Sequence, residues 1–164
     1  MLPEENFREF LLRVIRENPG IHFRELQRLT DSAVGQLQYH LGQLERLEKI
    51  YLKKDGRKIR YFTSEGSGYS QRKLIYYLRN RISGRILFQL IERGSVPRNS
   101  LIRGREKIRK LIKEKLREME EDGIIVQVSD SYSLRDREEA IRILRQYKAS
   151  FLSSLSDNLI SLLE

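Results

Sequence analysis

Cysteine and tryptophan are missing from this chain, and it has only three prolines, two methionines and two histidines. Without thiols there is no disulfide framework and no thiolate metal site. His22 and His40 stand 18 residues apart on different expected elements, with nothing to complete a zinc-ligand set, so neither a metal nor a cofactor is expected. Long apolar runs are absent too. The opening MLPEENF has acidic side chains where a leader would be basic and then apolar, so the expectation is a soluble, cytoplasmic protein with no membrane partner. Catalysis needs a nucleophile, an adjacent base and an orienting group, and no such set is visible. Ser70-Gln71-Arg72-Lys73 spells Ser-x-x-Lys but lacks the companion motifs of that enzyme class. No catalytic residue is assigned, and the chain is read as a non-enzyme.

What the chain does have is charge. Lysine and arginine number 32 against 23 acidic residues, a net +9, which favours a polyanionic partner without saying anything of sequence preference. Nucleic acid leads, ahead of an acidic membrane surface. At 164 residues and 39% apolar content, the chain has enough for compact cores in small domains and little to spare.

An internal repeat organises it. Shifted by 75 residues, Leu11, Leu12 and Ile15 fall on Ile86, Leu87 and Leu90, and Ile21 and Leu26 fall on Val96 and Leu101. Further on, Leu37, Leu41 and Leu44 meet Ile112, Leu116 and Met119, and Ile50 and Asp55 meet Ile125 and Asp130. Apolar positions recurring in one order indicate the same supersecondary unit used twice. Ser64–Ser70, rich in glycine and serine, reads as a linker, and Leu74, Ile75 and Leu78 place a connecting helix over Gln71–Arg79. The expected divisions are a first unit over 1–63, a linker and helix over 64–79, a second unit over 80–134 and a helical tail over 135–164. Basic and acidic residues number 12 and 9 before residue 64, 15 and 9 over 64–134, and 5 each in the tail, so the polyanion-binding charge lies in the two units.

Within the first unit, helix one is expected over Glu4–Glu17, closed by Asn18-Pro19-Gly20, with a short strand at Ile21. Phe23, Leu26 and Leu29 mark helix two. Thr30, Asp31 and Ser32 offer oxygens to cap helix three, which runs to about Glu48. Val34, Leu37, Leu41 and Leu44 turn one side of helix three inward, so Ser32, Gln36, Tyr39, Gln43 and Arg46 face the other way. Gln36 and Gln38 can pair bidentately with adenine, Tyr39 can touch a thymine methyl or a phosphate, and Ser32 and Gln43 flank the groove. His40 is expected to be a partly buried, hydrogen-bonded side chain beside this surface rather than a metal ligand, and is grouped with Gln36 and Tyr39 for base-edge contact. An alternating hairpin follows over Ile50–Phe62, with its turn at Asp55-Gly56 and Lys53, Lys54, Arg57, Lys58 and Arg60 at or beside the tip. Crowded cations repel one another in the free protein, and a phosphate backbone alongside relieves that repulsion.

The run SAVGQLQYHLGQLERLEKIYLKKDGRKIRYF resembles the recognition helix and wing of archaeal and ArsR-type winged-helix transcription regulators. In these a Tyr-His-Leu or Trp-His-Leu step precedes a leucine three residues later, here Tyr39, His40, Leu41 and Leu44. The tandem layout is similar to archaeal regulators with two such domains, a group that includes activators of archaellum genes. The likeness is good over 5–63 and weaker over 80–134. It implies a mainly α fold with small β wings, two tandem winged helix-turn-helix domains plus a C-terminal helix. The function it implies is sequence-specific binding of double-stranded DNA by a homodimeric regulator, with the basal transcription machinery as a further partner.

The second unit keeps the core but not the reading surface. Lys110, Lys113 and Arg117 point away from its apolar side and suit phosphates better than base edges, while its hairpin tip, Ser129-Asp130-Ser131-Tyr132, has no cation. It is expected to add nonspecific grip or to serve as a scaffold. In the tail, Ile141, Leu144, Tyr147, Phe151, Leu155, Leu159 and Leu162 form an apolar stripe that either folds back over the second unit or pairs between subunits, with Leu144, Phe151, Leu155, Leu159 and Leu162 as the dimer contacts. Two other functions compete with DNA reading: a protein-interaction scaffold with no specific DNA site, and a binder of structured RNA.

Overall fold

The computed structural model describes residues 4–66 and 68–152, in two compact units that divide between Arg72 and Lys73. In the first, α1 (Glu4–Glu17) is followed by β1 (Ile21–His22), α2 (Phe23–Thr30), α3 (Val34–Arg46) and a hairpin of β2 (Ile50–Asp55) and β3 (Lys58–Thr63). The helix α4 (Tyr69–Arg79) starts two residues before the expected connecting helix and runs across the division. The second unit then has α5 (Arg81–Arg93), β4 (Ser95–Pro97), α6 (Arg98–Leu101), α7 (Glu106–Glu121), β5 (Ile125–Val128), β6 (Ser131–Leu134) and α8 (Arg137–Gln146).

Both units are winged helix-turn-helix in topology. Each has a three-stranded antiparallel sheet, ordered β1-β3-β2 in the first and β4-β6-β5 in the second. The likeness extends to single hydrogen bonds. Leu47 N–H donates to Gln43 O, Glu48 to Glu45 and Lys49 to Leu44; 75 residues on, Asp122 donates to Glu118, Gly123 to Glu120 and Ile124 to Met119. This helix end needs a positive φ, found at Glu48 (55°) and Gly123 (72°), and glycine takes it at less steric cost than glutamate.

The first core gathers the inward side of each element: Phe7, Leu11 and Ile15 from α1, Leu26 from α2, Leu37, Leu41 and Leu44 from α3, and Ile50 and Tyr61 from the sheet. A fully buried leucine or isoleucine contributes about 1.5–3 kcal/mol, so this apolar set is what holds α3 against the sheet. The turn that ends α1 is fixed by the Asn18 side-chain amide donating to Val14 O at 2.9 Å and by Gly20 at φ 78°. In the second unit, Leu87, Leu90, Val96, Leu116, Met119 and Ile143 are buried equivalents or additions. At its start Asn80 caps α5 by accepting from the N–H groups of Ile82 and Ser83. Gly84 then lets the helix approach closely, since a β-carbon there would lie 2.7 Å from Leu78 O.

The tail expectation divides. Residues 148–152 are helical, and Phe151 is buried within the second unit beneath the Arg79 guanidinium, 4.5 Å from the ring centroid. Arg79, itself buried, also donates from Nη1 to Ser150 O at 3.1 Å and from Nη2 to Ser150 Oγ. Phe151, expected as a dimer contact, instead packs within its own second unit as the fold-back alternative has it, because cation–π attraction and burial engage its ring there. Leu144 is half-buried, whereas Leu155, Leu159 and Leu162 lie outside the described residues.

Candidate nucleic-acid interface

The helix-turn-helix turn is Asp31-Ser32-Ala33, and Asp31 at φ 47° ends α2 in the left-handed region. The expected caps behave differently from expectation. Thr30 Oγ1 donates to Leu26 O at 2.8 Å and lies 2.7 Å from Ser32 Oγ, while Gln27 Nε2 donates to Ser32 O at 3.2 Å. These bonds tie the turn to α2. The helix α3 instead starts from Ala33 with no side-chain cap. Ser32 is thus a buried turn brace, which corrects its placement at the groove flank.

Along α3 the expected apolar side is buried at Leu37, Leu41 and Leu44, but Val34, expected with them, is 47% exposed in the first turn of the helix. Gln36 and Tyr39 are exposed, Tyr39 at 51%, and Gln43 is half-exposed, so steps of three and four residues carry these groups along one stripe. Arg46, exposed at the end of the helix, extends it. His40 does not belong to that stripe. It is 4% exposed, packed 4.9 Å from the Phe7 ring, and its Nδ1 is buried with no hydrogen-bond partner among the described residues. The period of α3 rotates it toward α1, away from any groove, which corrects the base-edge assignment. Its ring does meet Tyr39 edge-on at 5.1 Å, so His40 supports the tyrosine from below.

Two residues passed over in the sequence stand out in space. Gly35 and Gly42 lie two helical turns apart, and a β-carbon added at either meets nothing within 4 Å. A glycine inside a helix costs about 1 kcal/mol relative to alanine, and here no neighbour within the protein requires its small size. Their seven-residue spacing in the sequence was the available signal.

The hairpin turns at Gly56-Arg57, one residue later than expected, because Asp55 pairs with Lys58 as the last rung. Gly56 takes φ 60°, as the first position of a tight hairpin turn of the II′ kind requires. Lys54, Arg57 and Lys58 are exposed at the tip, with Lys53 half-buried beside them. Arg60 is the exception and a third correction. Only 7% of its side chain is exposed; Nε donates to Asp55 Oδ2 at 2.7 Å and Nη1 to Gly20 O at 3.0 Å. Buried and paired, it braces the wing against the turn after α1 instead of facing a phosphate.

In the second unit Lys110 and Lys113 are exposed on α7, and Arg117 is exposed but engaged by Glu121 at 2.9 Å. Among the described residues no cluster of three histidines or acidic side chains is placed to hold a metal, and no helix is long and apolar enough to cross a membrane.

Residues 5–74 match a family model described as HTH_HVO_0163_N, N-terminal HTH domain. The first unit is accordingly a helix-turn-helix domain, a class that suggests DNA binding. No curated protein matches the chain.

Proposed function

We propose that the protein is a sequence-specific, double-stranded DNA-binding transcription regulator of the archaeal tandem winged-helix kind, ArsR-like in its first domain and acting as a homodimer. One observation carries the reading: α3 presents Gln36, Tyr39 and Gln43 outward from the same domain whose wing exposes Lys54, Arg57 and Lys58. Amides and a phenol provide contacts that discriminate base edges, and long cations provide contacts to phosphates, the two components of specific DNA binding. The wing cations also distinguish this reading from a pure protein scaffold, which has no use for three exposed cations at one hairpin tip. Under this reading the second unit is the scaffold half, and Lys110, Lys113 and Arg117 contribute at most general electrostatics.

Selection of binding sites from random duplexes, followed by gel shift against excess competitor at near-physiological salt, tests the proposal. Enrichment of one motif, with two half-sites spaced about 10 base pairs apart, is the expected result for a two-fold dimer. Binding that competes equally with random DNA contradicts sequence reading, and stronger displacement by structured RNA than by duplex DNA favours an RNA partner.

A further inference from the structure

Between α3 and the wing the first unit has a groove of about 820 Å³. Its position is notable because α3 lines one side through Gln38, Leu41, Gly42 and Glu45, beside and not on the stripe of Gln36, Tyr39 and Gln43, while the wing cations Arg57 and Lys58, phosphate contacts under the proposed function, line another. Its composition differs from that of a phosphate channel. Phe23, Leu41, Leu52, Ile59 and Tyr61 line it, and Ile59 holds its side chain at the surface, 37% exposed. Leu52 and Phe23 are only partly buried although they pack against the core, so water or a ligand meets apolar surface there. Charge is confined to the rest of the lining: Arg24, Arg57 and Lys58, all exposed, against the single carboxylate of Glu45. Burial, and then the charge of Glu45, push the Tyr61 phenol above its ordinary range, so it is a hydrogen-bond donor and not an anion in the groove.

Phosphodiester strands are poorly matched to such a lining, because they would cover apolar side chains with charged oxygens. A neutral apolar ligand would leave the three cations without use. An apolar body with one anionic head satisfies both, and the volume lies within the usual range for small-molecule sites, roughly 300–1,000 Å³. We propose that this groove binds a small amphipathic carboxylate, its chain against Ile59, Leu52 and Phe23 and its head among Arg24, Arg57 and Lys58. Occupancy opposes DNA binding, a consequence that rests on the proposed function, since Arg57 and Lys58 cannot serve a carboxylate and a phosphate at once.

Titration calorimetry on the full chain without DNA tests the site, with decanoate, octanoate, 1-octanol and inorganic phosphate as probes, all below micelle-forming concentrations. Saturable one-to-one binding of decanoate is expected, with octanoate about tenfold weaker for its two missing methylenes and 1-octanol weaker than octanoate. Ile59→Glu and Arg24→Ala, both at exposed positions, should each weaken decanoate binding at least about fivefold with melting unchanged. Phosphate binding as tightly as decanoate, equal affinity for the two chain lengths, or indifference to both substitutions overturns the site. DNA binding is then measured separately with and without decanoate. A fall in DNA affinity supports the regulatory link, and unchanged affinity at saturating decanoate overturns it. A protein that takes decanoate but never binds DNA contradicts the proposed function and leaves the site standing.

Discussion

At equivalent positions 75 residues apart, α3 carries Gly35, Tyr39, Gly42, Gln43 and Arg46, and α7 carries Lys110, Glu114, Arg117, Glu118 and Glu121. The two helices bury matching side chains and end on the same hydrogen bonds, yet their other faces differ in chemistry. Three carboxylates on α7 stand where α3 has a phenol, an amide and a guanidinium, and a duplex brought against them meets like charge. The wings diverge in the same direction. Strands β2 and β3 are six residues long with exposed cations at the tip, whereas β5 and β6 are four residues long and end on Val128, Ser129 and Asp130, Val128 being 69% exposed. The helix before the third one of each unit also shrinks, from eight residues in α2 to four in α6. Two similarly built cores thus carry different surfaces, because burial constrains the inner positions and leaves the outer ones free to differ.

The sharpest way to break this comparison is to give α3 the surface of α7. Tyr39→Glu, Gln43→Glu and Arg46→Glu together leave the core untouched, and like-charge juxtaposition costs several kcal/mol, so DNA affinity should fall by at least about a hundredfold with melting nearly unchanged. Retained affinity in a gel shift would mean that α3 does not face the duplex. Gln36→Ala should act more selectively, costing about 1–3 kcal/mol on the preferred sequence and much less on random DNA. Equal losses on both would remove its reading role. The smallest effect concerns the glycines. Gly35→Ala and Gly42→Ala should each raise stability by about 1 kcal/mol in thermal melts, because helix propensity improves and the space is open. If a duplex approaches this face closely, the same methyls should lower its affinity, and a variant that gains stability without losing affinity would show that the glycines serve no close approach.

Much of this was legible beforehand for a definite reason. Apolar residues at steps of three and four on α1, α3 and α7, and alternation in the hairpins, report burial directly, and burial organises both cores. Caps and charges were harder. Ser32 had the right chemistry to cap α3, but its hydroxyl meets Thr30 inside the turn, a choice between two local partners that spacing does not decide. Arg60 looked like one more wing cation because nothing in its neighbourhood in sequence shows that strand pairing brings Asp55 and Gly20 to it. His40 was adjacent to Tyr39 in sequence but sits at the edge of the α3 core, where one residue step of 100° turns a side chain from solvent to Phe7. The groove beside the wing was invisible, since it is formed by residues from α2, α3 and both strands.

The salt dependence of DNA binding tests the central claim most directly. Replacing Lys54, Arg57 and Lys58 with alanine should flatten the plot of log affinity against log salt by about 0.9 for each cation that meets a phosphate, whereas the same change at Lys110, Lys113 and Arg117 should leave the slope where it was. A slope that ignores the wing and follows the α7 cations would contradict the account and move the DNA to the second unit.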